Sequence, residues 1–234
     1  MKIGFDKNMG MAIKIRVVLG VIIDNGLMFV VLFISTGRWD YWHGWLYFLL
    51  WVYFDLCHRA IIPSELIQER NRLGVAGTKK WDYVFYAIYT PLSFIIPLIA
   101  ALDGGRYHWT GNFPLWVNAL GFVVIFLGDS LMIFSLWKNR FFSVTVRIQK
   151  ERGHYVIDKG PYAFIRHPGY AGLIISSFCI PIALNSLGAL IPAVLYAIAF
   201  IIRTYLEDRT LQRELSGYAD YAARVKYRLI PRVW

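Results

Sequence analysis

Apolar runs broken by short basic segments leave this chain few ways to fold. Four runs, from about Val17 to Ile34, Trp42 to Ile62, Tyr83 to Leu102 and Leu115 to Trp137, approach the roughly 20 residues a spanning helix needs. Two more follow, from about Tyr170 to Leu184 and from about Leu187 to Tyr205. The first of these is short for a span, so it either thins the bilayer or leans on its neighbours. Asn185-Ser186 joins the two as a tight helical hairpin. The expected fold is therefore all-α, a polytopic integral membrane bundle of about six transmembrane helices.

Composition agrees with this class. Of 234 residues, 57% are hydrophobic and 17% aromatic, and a soluble domain rarely reaches such values. The net charge of +10 does not imply nucleic acid, because the basic residues fall between the apolar runs. Counted by loop, 23 of the 25 Lys and Arg occupy alternate compartments and 2 occupy the others. The positive-inside rule then places both termini in the cytoplasm, with Trp39, Trp42, Trp45, Tyr107 and Trp109 as anchors near the outer ends. The start, MKIGFDKNMGMAIKIR, is basic, and no AxA-type cleavage site follows it, so it reads as an anchor. Cys57 and Cys179 lie in apolar runs and read as buried thiols. No CxxC occurs, and His154 and His167 have no zinc-like partners, so no metal is expected.

One polar stretch stands apart, QKERGHYVIDKGPYAFIRHPGYAG, residues 149–172. Gly160-Pro161 sets a turn, and Pro161 suits the first position of a short helix that ends by His167, before Pro168. Within the stretch His154, Tyr162, Arg166, His167 and Tyr170 supply donors, acceptors and aromatic faces. From spacing alone it reads equally well as a basic loop that only anchors helices.

A second polar block covers residues 203–234. On a helix Arg203, Glu207 and Leu211 share a face, with Asp208 one step round. Arg203 and Glu207 form either a plain ion pair at a membrane exit or an anion-holding Arg beside a ligand-accepting carboxylate. Tyr218, Tyr221, Arg224 and Arg228 read as an amphipathic, interfacial helix stopped by Leu229-Ile230-Pro231. Two acids lie inside apolar runs, Asp24 and Asp129. Such residues usually face the bundle interior. Asp24 reads as structural, partnered by Asn25 or another helix, and Asp129 as either structural or functional.

GHYVIDK followed by GPYAFIRHPGYAG resembles the isoprenylcysteine carboxyl methyltransferase family and its phospholipid-methyltransferase relatives. Arg203, Glu207-Asp208 and Leu211, the ending KYRLIPRVW, and PSELIQER with KKWD carry the same resemblance. It is dense from about Asn139 to Trp234 and weak elsewhere. It divides the chain into 1–137, four spans, and 138–234, a methyltransferase core.

The resemblance implies S-adenosylmethionine as methyl donor, bound at the cytoplasmic face. His154, Tyr162, His167 and Tyr170 would line its pocket, aided by backbone near Val156 and Gly160, by Glu207 and by Gln149. Asp208 stands where many members have a second Glu. Arg203, with Arg166 second, would hold an acceptor carboxylate. The chemistry fits this assignment: a sulfonium favours aromatic faces, and a carboxylate nucleophile is ionised at neutral pH without a general base. No GxGxxG offers a Rossmann route.

The expectation is a bacterial inner-membrane methyltransferase acting on a lipophilic, prenylated or other lipid-linked acceptor that enters from the bilayer. The rival readings are a sterol-reductase-like oxidoreductase using a reduced nicotinamide and a non-catalytic membrane binding or transport protein.

Overall fold

Seven α-helices and two 3₁₀ turns, with no strand among the described residues, make up the fold. The computed structural model describes residues 11–62, 77–143 and 145–234. The PSELIQER segment and most of the basic N-terminal stretch lie outside them. The helices are α1 (Met11–Phe29), α2 (Trp42–Ile61), α3 (Lys80–Ala100), α4 (Leu115–Lys138), α5 (Pro168–Ala183), α6 (Leu190–Glu214) and α7 (Tyr218–Arg224). α1 and α3 continue into π-helical turns, Val30–Ile34 and Ala101–Tyr107.

Among the described residues four helical stretches are long and apolar enough to cross a membrane: Val17–Ile34, Lys80–Tyr107, Leu115–Lys138 and Leu190–Glu214. α2 has the length, at 20 residues, but places Asp55, His58 and Arg59 in its second half. α5 has 16 residues, about 24 Å of helix. Their outward faces carry exposed Ile, Leu and Val such as Ile22, Ile23, Val123, Leu127, Ile191 and Ile202, as lipid contact requires.

α5 is packed for closeness. It runs antiparallel to α4 along small residues: Gly121 meets Ala183, Gly128 meets Gly172 and Ser176, and Ser135 faces Gly169. A Cβ on Gly128 would stand 2.7 Å from the Gly172 carbonyl, and one on Gly172 would overlap the Gly128 carbonyl. Gly121, Gly128 and Ser135 recur every seven residues, so one seam of α4 faces its partner throughout. In a bilayer such small-residue seams bring helix backbones together where lipid offers no hydrophobic drive.

The end opposite the polar block is tied by Asn185, whose φ of 61° is the left-handed conformation that Asn tolerates. Its Oδ1 accepts from Phe113 N at 2.8 Å and from Asn118 Nδ2 at 3.0 Å. The α5–α6 hairpin forms where the sequence places it. Asp24 is partnered across helices by Arg59 of α2, which also holds Asp55 at 2.8 Å, while Asn25 donates to Asp55 at 3.0 Å. Asp129 lies beside Ser176 of α5.

Two boundaries differ from expectation. α6 does not end at Tyr205 but continues without a break to Glu214, carrying Glu207 and Asp208 on a rigid rod. The helix expected from Tyr218 to Arg228 ends at Arg224. Its Tyr218 and Tyr221 are buried against Ile148, Val156, Leu211 and Leu215. These two tyrosines pack on protein.

Candidate functional site

The segment joining α4 to α5 is shaped by its own side chains. Asn139 caps the turn after α4, with Oδ1 accepting from Phe141 N at 3.0 Å and Nδ2 donating to Tyr162 Oη at 3.3 Å. Gln149 is buried, and its Nε2 donates to Phe141 O at 2.7 Å. The His154 ring stacks on Phe141 at 4.4 Å between centroids. Gly160, at φ 65°, opens the 3₁₀ turn Gly160–Ala163, a position that would strain any side chain. Pro168 then occupies the first turn of α5, where its missing N–H costs nothing.

The chain's last residues close this segment from below. Arg166 N donates to Tyr227 O and His167 N to Arg228 O, each at 2.9 Å. Tyr221 Oη donates to Tyr162 O at 2.7 Å. Between them sits Asp208, with 0% side-chain exposure. It accepts from Arg166 Nε at 2.7 Å and Nη2 at 2.9 Å, Arg228 Nε at 2.9 Å, Gln212 Nε2 at 2.8 Å and Tyr218 Oη at 3.0 Å. One buried carboxylate thus joins the α5 entrance, α6, α7 and the C-terminal tail. Burial acts to lower the Arg166 pKa, but the hydrogen bond and charge of Asp208 outweigh it and hold it above its ordinary value.

Above this hub the loop 139–167, the start of α5, α6 and α7 line a cleft that opens to solvent. It brings His154, Val156, Tyr162, Arg166, His167, Tyr170 and Glu207 to one place. Gln149, Gly160, Arg203 and Asp208 are not in the wall. Glu207, with 20% of its side chain exposed, accepts from Tyr170 Oη at 2.7 Å. His167 stacks on Tyr170 at 5.6 Å. Its Nε2 is buried and stands 3.6 Å from Asp208 Oδ1, too far for a hydrogen bond. Arg203 is an ion-pair partner of Glu207 at 3.9 Å and of Asp82 at 3.3 Å.

Asn139, Phe141, Phe142, Tyr218 and Tyr221 also line the cleft, although none stood out in the sequence as a site residue. The only cue for the last two was their helical spacing, which suits a membrane surface equally well.

These walls lie largely within residues 115–213, which match the model of the Isoprenylcysteine carboxyl methyltransferase (ICMT) family. Over that stretch the chain is similar to the isoprenylcysteine carboxyl methyltransferase family. It is 27% identical over 146 residues to Protein-S-isoprenylcysteine O-methyltransferase B of Arabidopsis thaliana, covering 61% of this chain and 71% of that relative. With the Rattus norvegicus Protein-S-isoprenylcysteine O-methyltransferase it shares 29% over 120 residues, 47% of this chain and 40% of the relative. A solved eukaryotic intramembrane Ras methyltransferase ICMT aligns with a TM-score of 0.47 and 17% identity, over 96% of this chain and 88% of that one. The matched segment includes α4 and the two long helices that line the cleft, α5 and nearly all of α6.

The cleft has a pH signature. Burial, then the nearby charges of Arg152 and Arg147, pushes His154 down to about 4 from 6.5. Between those values the unfolded chain binds the proton and the folded one does not. Stability is then full above about pH 6.5 and falls as pH drops toward 4. A melting curve of purified protein should lose several degrees over that window, and His154→Gln should flatten the loss.

Proposed function

We propose that the protein is an integral membrane methyltransferase that uses S-adenosylmethionine to methylate a carboxylate on a lipid-linked acceptor. The relatives' names point to an isoprenylated cysteine as the acceptor class. The observation that carries the reading is Glu207: a carboxylate half sunk in a cleft of Tyr and His side chains, on the segment that matches the family model.

The residues present fit the donor. His167, stacked on Tyr170 in the cleft wall, adds a ring face beside the Glu207 carboxylate. Glu207 is an acceptor for hydroxyl or ammonium groups. Tyr162, Tyr170 and His154 present aromatic faces suited to a cation. S-adenosylmethionine, when bound, supplies an electrophilic methyl group on a positively charged sulfur. The chain's task is to fix geometry and exclude water. Tyr218 and Tyr221 shut the lower side of the cleft. Arg203, outside the wall, and Arg166, within it, provide the positive field toward which an acceptor carboxylate turns. That carboxylate is ionised near neutrality, so no side chain need remove a proton from it. We place the cleft, both termini and the polar block on the cytoplasmic side of a bacterial inner membrane, with residues 138–234 as the methyltransferase core.

S-adenosylmethionine should raise the melting temperature of the detergent-solubilised protein, and NADPH should not. Stabilisation by NADPH alone would favour an oxidoreductase, and stabilisation by neither a non-catalytic protein. Glu207→Ala should weaken donor binding about tenfold or more. Arg203→Ala should spare donor binding and lower turnover. Equal loss of folding in both variants would mean a structural ion pair only. Incubation of labelled donor with membrane extract, followed by identification of the labelled species, names the acceptor.

A further inference from the structure

On α3, Asp82, Phe85 and Tyr86 fall at i, i+3 and i+4 and form one face. That face receives the Arg203 guanidinium. Arg203 Nη2 lies 3.3 Å from Asp82 Oδ1, its Nη1 donates to Tyr86 Oη at 3.1 Å, and its Cζ stands 4.2 Å above the Phe85 ring. Glu207, one turn further along α6, is held less closely, at 3.9 Å. Asp82 is itself fully buried, and its other oxygen accepts Val146 N at 2.8 Å. Val146 forms part of the cleft wall, and its carbonyl accepts Lys79 N at 3.2 Å. Asp82 touches nothing in the cleft directly.

We infer that Asp82 is a positioning residue that draws the Arg203 cation onto α3 and so keeps the Glu207 carboxylate available to a cationic ligand. A fully buried acid, Asp82, and a half-buried one, Glu207, compete for one guanidinium. While Asp82 carries charge, Arg203 stays in the cup and Glu207 keeps its bond to Tyr170. Without that charge Arg203 loses the closer of its two described anions, and it closes on Glu207. The cleft then loses its acceptor to an internal ion pair, the arrangement that suits a scaffold and not a binding site. This inference rests on the donor site proposed above.

The first test uses Asp82→Asn, whose amide oxygen can still accept Val146 N while the charge is gone. Its Kd for S-adenosylmethionine, measured on the purified full chain, should rise about tenfold, with a melting temperature within a few degrees of wild type. Adding Arg203→Gln should return the Kd to near the wild-type value, because the competing cation is removed. A D82N protein that binds donor like wild type, or a double variant no better than D82N, overturns the inference.

A second readout does not depend on donor. Double-mutant melting cycles of Arg203→Gln with Glu207→Gln should show a larger coupling in the D82N background than in wild type. If wild type binds no S-adenosylmethionine, the proposed function fails while this cycle still decides the role of Asp82. If D82N does not fold, the same cycle is run in Tyr86→Phe, which releases Arg203 Nη1. An unchanged coupling there overturns the inference.

Discussion

Asp208→Ala is expected to destabilise the protein by about 3–5 kcal/mol, the usual cost of leaving a buried charge without its partner. The carboxylate is fully buried and bears on two guanidinium groups, Arg166 and Arg228, besides Gln212 and Tyr218. Its loss strands Arg166, whose side chain is 4% exposed. For a chain of this length the melting temperature should fall on the order of 10 °C. Asp208→Asn should fall between wild type and Ala, since the amide oxygen still accepts while its NH₂ faces donors. Thermal unfolding of the three proteins in one detergent decides the matter. A change of only a degree or two in Asp208→Ala would mean that the hub contributes little. Donor binding should fail with the fold, because Arg166 and Tyr218 both reach the cleft wall.

Gly172→Val should be at least as damaging, through sterics alone. A single Cβ at this position already overlaps the Gly128 carbonyl, which is helix backbone and cannot swing aside. α4 and α5 would have to separate along their whole seam, and the start of α5 would move with them. The expected result is little folded protein after extraction, with Gly172→Ala intermediate at about 2–3 kcal/mol. Gly26→Ala serves as the control: a Cβ on that helical glycine meets nothing within 4 Å, so it should be neutral or stabilising by a few tenths up to about 1 kcal/mol. Equal effects at positions 26 and 172 would remove the seam from the account.

The spans were legible because lipid imposes long apolar runs, and runs of that length are hard to hide in a sequence. The hairpin at Asn185-Ser186 was legible because its polar residues interrupt two apolar runs. The cluster of His154, Tyr162, His167, Tyr170 and Glu207 was expected from the family resemblance of two motifs, and the fold sets these residues around one hollow. Other parts were closed to such reading. Tyr218 and Tyr221 show the same period whether they face lipid or protein, so only the packing of α7 on Val156 and Leu215 separates the two outcomes. Asp82 sits more than one hundred residues before Arg203, and nothing local marks the two as partners. Asp208 and Glu207 are adjacent acids, yet a helix turns each by about 100° from the last. One faces the hub and the other the cleft, and that depends on which neighbours α6 meets.

The unbroken course of α6 makes it a ruler. Glu207 stands 17 residues beyond Leu190 on one continuous helix, about 26 Å along its axis. No hinge lies between the buried polar knot at one end and the carboxylate at the other. Lengthening or shortening this rod by a single residue would shift Glu207 by about 1.5 Å and swing it by about 100°, carrying it away from Tyr170. Length variation in this protein therefore belongs in the connecting segments at the far end, and the distance from Leu190 to Glu207 is fixed by the geometry of the helix itself.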